Sequence, residues 1–158
     1  MVKRETIFLK FAVLIIALPV LALSIFGLYW LTYNPVNPEY AFGIYPVLIG
    51  VYLTVIPFYI ALYQAFRLLD YIDKNIAFSE LSVNALKNIK YCAITISALY
   101  VVMMPFVTII ADKDDAPGLI IMGLVPIFAS MVVAVFAAVL QKLLRNAIDI
   151  KSENDLTI

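Results

Sequence analysis

Four stretches of this chain, 11–31, 44–66, 91–111 and 118–140, each run past twenty residues without one charged side chain. A helix rises 1.5 Å per residue, so each stretch is long enough to cross a hydrocarbon core of about 30 Å. In lipid the backbone must satisfy its own N–H and C=O groups, which leaves helices or closed barrels. The alternating strands of a barrel are not seen. The sequence therefore predicts an all-α membrane protein, a bundle of four transmembrane helices with helical extensions on the cytoplasmic side. The helices are expected at about 11–31, 44–66, 91–111 and 117–140. An amphipathic link over 67–90 and a tail over 141–158 complete a single membrane domain, 1–158.

Composition points the same way. The chain is 65% hydrophobic and 14% charged, where a soluble domain is about half apolar and about a quarter charged. A core of 158 residues cannot hide that excess.

Sidedness follows from Lys and Arg. Lys3, Arg4 and Lys10 precede the first run. Arg67, Lys74, Lys87 and Lys90 lie in the middle link, and Lys142, Arg145 and Lys151 in the tail. Only Lys113 falls on the other side, beside Glu39, Asp112, Asp114 and Asp115. Both termini are therefore expected in the cytoplasm of a cell with this plasma-membrane protein. Tyr29, Trp30, Tyr33, Tyr40 and Tyr45 form an aromatic belt at the outer interface. The first run has a basic start and a small-residue stretch at Val20–Ala22, as in a signal peptide. It continues to Leu31, too long for a secretory segment, and is read as a retained helix.

Pro19, Pro46, Pro57, Pro105 and Pro126 are expected to kink the helices rather than break them around a transport site. In the fourth helix, Gly118, Met122, Pro126, Ser130, Ala134 and Ala138 recur at four-residue steps. The small members, Gly118, Ser130, Ala134 and Ala138, predict a helix-packing stripe, with homo-oligomerisation through it as a second use.

Little in the chain suits catalysis. Histidine is absent, Cys92 is the single cysteine, and five glycines build no phosphate-cradling loop. Asp112, Asp114 and Asp115 carry oxygen ligands of the kind a divalent cation takes. The preferred reading is that Asp115 or its neighbour caps the fourth helix, ahead of Pro117. Net charge is zero, so direct nucleic-acid binding is not expected. No cofactor, no metal and no enzymatic activity are expected.

The cytoplasmic segments carry the pattern. Leu69, Ile72 and Ile76 share a face, with Asp70 and Lys74 paired one turn apart. Asn75–Phe78 breaks the helix, and Ser79 is placed to cap the next. There Leu81, Ala85, Leu86 and Ile89 face one way, and Glu80, Asn84, Lys87 and Asn88 the other. In the tail, Leu143, Leu144, Ala147 and Ile148 form an apolar stripe, with Arg145 and Asp149 one turn apart. Helix is expected to about Ser152, then an extended end whose Leu156-Thr157-Ile158 suits strand addition to a partner. Gln64 and Ile72-Asp73 weakly echo Gln141 and Ile148-Asp149. Tail and middle link share one face, so a contact between them is expected.

LLDYIDKNIAFSELSVNALKNIKY (68–91), DDAPGLI (114 on) and AIDIKSENDLTI (147 to the end) resemble the YoaS-like family of small bacterial membrane proteins, domain of unknown function 2975. The KSENDLTI ending is the most specific part. The resemblance implies four transmembrane helices and brings no catalytic residues. It also implies a gene neighbour encoding a small Cro-like helix-turn-helix regulator.

The leading expectation is a non-enzymatic membrane protein in contact with the lipid bilayer that docks a cytosolic partner on its inner face, with that transcriptional regulator as candidate. The residues expected to dock it are Asp73, Lys74, Lys87, Arg145, Asp149, Lys151, Glu153, Asn154, Asp155 and Leu156. The rival readings are an immunity or envelope-stress protein acting within the bilayer, and a small transporter or channel subunit.

Overall fold

A computed structural model of the chain describes residues 2–156, with side chains from Arg4 onward. Among these residues it is all helical. The four helices are α1 (Val2–Tyr33), α2 (Ala41–Asp73), α3 (Glu80–Asp114) and α4 (Gly118–Leu156). Each is long and apolar enough to cross a membrane. Each also outruns its uncharged stretch, so charged turns extend the helices beyond the apolar runs. The start of α1, the end of α4 and the α2–α3 link lie at one end, called here the terminal end. The other two links lie at the far end.

The helix ends explain where the chain turns. Asn75 (φ 60°) and Asp115 (φ 51°) sit in the left-handed region, which Asn and Asp tolerate better than most side chains. After α2, the Ile76 N–H bonds back to the Tyr71 carbonyl at 2.9 Å. After α3, the Ala116 N–H does the same to Ala111, also at 2.9 Å. Both bonds satisfy carbonyls that a helix end leaves open. Asp115 is therefore the left-handed terminator of α3 and not the cap expected for α4. Ser79 does hold the N-cap position of α3 with extended backbone, but its hydroxyl donates to the Ile76 carbonyl and caps nothing. All five helical prolines are accommodated within continuous helices.

The helices form a row in chain order. α1 packs on α2, α2 on α3 and α3 on α4, while no Cα of α1 comes within 8 Å of α3 or α4. The bundle is thus open along one side. Close approach of α2 and α3 rests on glycine. Gly43 lies against Ile110 and Gly50 against Met103, seven residues apart on both antiparallel helices. Between α3 and α4 the buried row on α4 is Ile127, Ser130, Ala134 and Ala137. Ser130 and Ala134 belong to the expected stripe. Gly118 has no atom within 4 Å of a built Cβ, Met122 is exposed, and Ala138 is half-buried. The real row steps by three and four because a helix turns every 3.6 residues, and a strict four-residue row drifts off the interface.

α1 is attached differently. From Arg4 onward its only buried residue is Thr6. Two tyrosines of α2 hold it by its backbone: Tyr52 donates to the Ser24 carbonyl (2.9 Å) and Tyr59 to the Ala17 carbonyl (2.6 Å). At the far end, the Lys113 ammonium donates to the Glu39 carbonyl and lies 5.8 Å from the Tyr40 ring. Nearby Asp114 raises the Tyr40 phenol above its ordinary pKa, first by accepting its hydrogen bond and then by its charge.

Candidate docking face at the terminal end

Two polar clusters fasten the helices at the terminal end. In the first, Lys10 of α1 meets Asp70 at 3.2 Å and Asp73 at 2.9 Å on α2. Thr6 donates to Asp73 as well. Lys74 adds a 3.2 Å contact to Asp70, the pairing one turn apart that the sequence suggests. The cations act on the acid in a consistent direction. Hydrogen bonds from Lys10 and then Lys74 hold the Asp70 carboxyl below its usual pKa. Lys10 is correspondingly raised, chiefly by Asp73.

The second cluster joins tail and link. Arg145 of α4 grips Glu80, the first residue of α3, through both guanidinium nitrogens, with the Nη2–Oε2 contact at 3.0 Å. Arg145 therefore reaches across to another helix instead of settling on Asp149 one turn along its own. A forked pair of this kind fixes orientation as well as distance.

Apolar patterning in the link is shifted from expectation. The buried residues opening α3 are Ser82, Val83, Ala85 and Leu86, while Leu81 is exposed. Burial on two sides, toward α2 and toward α4, selects that face. Ser82 Oγ is enclosed and has no hydrogen-bond partner among the described residues.

Between α1 and α4, whose Cα atoms stay more than 8 Å apart, lies an apolar cleft of about 700 Å³. Leu9 and Val13 form one wall, Leu143 and Ala147 the other, and Leu69 and Leu86 the floor. The apolar stripe of the tail therefore lines this cleft, with Leu143 exposed and Leu144 and Ala147 half-buried.

Beyond the cleft α4 does not stop. The extended end expected after Ser152 is helix through Leu156, and Thr157 and Ile158 lie outside the described residues. A run of Lys, Ser, Glu, Asn and Asp with no proline or glycine gives a growing helix no reason to break. Every residue from Asp149 to Leu156 is exposed, including the apolar Ile150 and Leu156. At 1.5 Å per residue this projection is about 12 Å long.

The structure thus divides the candidate docking residues. Asp73 and Arg145 are engaged in holding helices together, and Lys74 pairs with Asp70 one turn back at the end of its own helix. Asp149, Lys151, Glu153, Asn154, Asp155 and Leu156 lie on the projecting helix. Lys87 lies elsewhere, on α3, with its ammonium 6.0 Å from the Tyr91 ring. Periodicity alone does not single out Thr6, Lys10 or Glu80, whose partners are sixty or more residues away. Asp112, Asp114 and Asp115 do not converge on a common point with enough acids to hold a metal ion.

No solved structure matches this chain. It is similar to YoaS of Bacillus subtilis (strain 168), described as an uncharacterized membrane protein, with 61% identity over 158 residues and 99% of each chain covered. Residues 28–158 match the family model described as "Protein of unknown function (DUF2975)". By both measures the chain is a membrane protein of the DUF2975 family.

Proposed function

We propose that the protein is a non-enzymatic docking platform of the bacterial plasma membrane, with both termini in the cytoplasm. One observation carries this reading: every residue in the last two turns of α4 is exposed, the apolar Ile150 and Leu156 included. Its base carries the forked Arg145–Glu80 pair, which sets its direction relative to α3. A helical, pre-ordered projection presents side chains to a partner at lower entropic cost than a loose tail. Sidedness rests on ten of the eleven Lys and Arg residues falling at the terminal end. The partner is a cytosolic protein, and the helix-turn-helix regulator implied by the family resemblance is the first to try.

The test is co-purification after mild detergent extraction, using the full chain and a chain lacking residues 149–158. That truncation leaves Ala147 and the Arg145–Glu80 pair intact. Ile150→Glu is a second variant that keeps the helix. Loss of one and the same cytosolic protein in both variants supports docking. If that protein stays bound to both, the projection is not the docking element. An immunity or envelope-stress role within the bilayer would then be favoured.

A further inference from the structure

The acids of the terminal end are distributed unevenly. Asp70 and Asp73 engage Lys10 and Lys74, and Glu80 engages Arg145. Among the described residues, no carboxylate lies within 4.0 Å of Arg67, Lys87 or Lys90. These three cations are instead seated on aromatic rings. Arg67 lies 5.8 Å from the Tyr63 ring and 5.6 Å from Tyr71. Lys90 lies 4.8 Å, and Lys87 6.0 Å, from the Tyr91 ring.

Register brings them level. Gly50 faces Met103. Seventeen residues further along α2 is Arg67, and seventeen residues back along α3 is Leu86, next to Lys87. Arg67 immediately follows the uncharged run of α2, which places this level at the edge of the hydrocarbon core. Lipid phosphates occupy the layer just outside that edge, roughly 5–7 Å deep.

A groove leads from this level into the membrane. It runs between α2 and α3, measures about 420 Å³, and has Tyr91 at its mouth. Ile56, Pro57 and Ile60 form one wall, and Thr95 and Leu99 the other.

We propose that this side of the α2–α3 pair is a binding site for an anionic phospholipid. The phosphate sits between Arg67 and Lys87, while Lys90 turns toward the α3–α4 side. One acyl chain lies in the groove above. Arginine offers a fork that matches phosphate oxygens, and lysine adds a point charge. Basic pockets between helices at a membrane surface recognise headgroups in this way. A soluble phosphate would satisfy the cations and leave the contiguous apolar groove unexplained, so the lipid is the favoured ligand. The site does not depend on the docking reading.

Native mass spectrometry of the detergent-purified full chain tests it, with phosphatidylglycerol and phosphatidylcholine of matched acyl chains as probes. Near a membrane surface each cation contributes roughly fivefold in affinity, so two predict a preference for phosphatidylglycerol of about 25-fold. Arg67→Gln and Lys87→Gln should each lower phosphatidylglycerol retention about fivefold and leave phosphatidylcholine unchanged. Arg67→Lys should recover part of the loss, and Lys142→Gln should have no effect. Both substituted residues are exposed, and an unchanged melting temperature verifies that the variants fold. Equal retention of the two lipids would overturn the site. So would an equal loss in Lys142→Gln, which would make the attraction diffuse. Displacement by millimolar glycerol phosphate would assign the cations to a soluble phosphate and also overturn it.

Discussion

Gly50 lies so close to Met103 that a Cβ built on the glycine would stand 2.1 Å from the sulfur and 2.6 Å from Cγ. Met103 is itself buried, at 4% exposure, so it cannot swing away without opening the α2–α3 seam. Gly50→Ala is expected to destabilise the protein by about 1–3 kcal/mol, the usual cost of overpacking. Gly118→Ala, where nothing lies within 4 Å, should be near neutral. Combining Gly50→Ala with Met103→Ala should relieve part of the first loss. Thermal melting of the four proteins in one detergent reads this directly. An undiminished melting temperature in Gly50→Ala would show that the seam does not depend on the missing side chain.

Tyr52 and Tyr59 hold α1 by its backbone, and α1 has little buried surface of its own. Hydrogen bonds between membrane helices average about 0.6 kcal/mol and reach about 1.7. Tyr52→Phe with Tyr59→Phe should therefore cost about 1–3 kcal/mol, and the loss should fall on α1 alone. Cross-linking between cysteines placed on α1 and α2 should drop, while α3–α4 cross-linking stays constant. A uniform drop in both would mean that α1 is not separately attached.

The Arg145–Glu80 pair is about half exposed on both sides, so solvent and salt weaken it. A double-mutant cycle with Arg145→Ala and Glu80→Ala is expected to return about 0.2–1 kcal/mol of coupling. Coupling should shrink between 20 mM and 500 mM salt, since the Debye length falls from tens of ångströms to a few. Coupling indifferent to salt would argue against an electrostatic clasp.

Acid should loosen the junction of α1 with α2. The folded-state pKa of Asp70 lies below its ordinary value of 3.8. A depressed carboxyl contributes stability that is fully present above the unfolded value and is lost as pH falls through the folded one. The contribution from Asp70 to melting temperature should be level above about pH 5 and decline progressively below it, through the ordinary value of 3.8 and on through the lower folded one. Asp70→Asn should remove that part of the decline. The measurement is melting temperature against pH for wild type and variant, and identical acid slopes would count against the assignment.

Fold class was legible because lipid permits few backbone arrangements, and uncharged runs of this length show where the spans lie. The α2–α3 break was legible for a related reason, since Asn75 suits a left-handed helix end. Three-dimensional pairing was not legible. Arg145 has Asp149 one turn away in sequence, yet its partner is Glu80, because packing of α3 against α4 brings that acid closer in space. Likewise Ser130 and Ala134 could be picked out by size, whereas Ala137 and Ile127 enter the interface only once the 3.6-residue turn of α4 is set against a real neighbour. The helix of α4 beyond Ser152 is not legible for a local reason: polar residues alone look like a loss of helix, but a polar helix can continue into water from an existing stem.

Because each helix brings its backbone close only to the helix before and after it in the chain, helix packing among the described residues runs between consecutive helices. During synthesis a newly inserted segment finds its partner already in the bilayer and never waits for one still to be made. α1 and α2 can close as a hairpin while α3 is on the ribosome, and α4 completes the row without rearranging anything. Such local connectivity favours fast assembly.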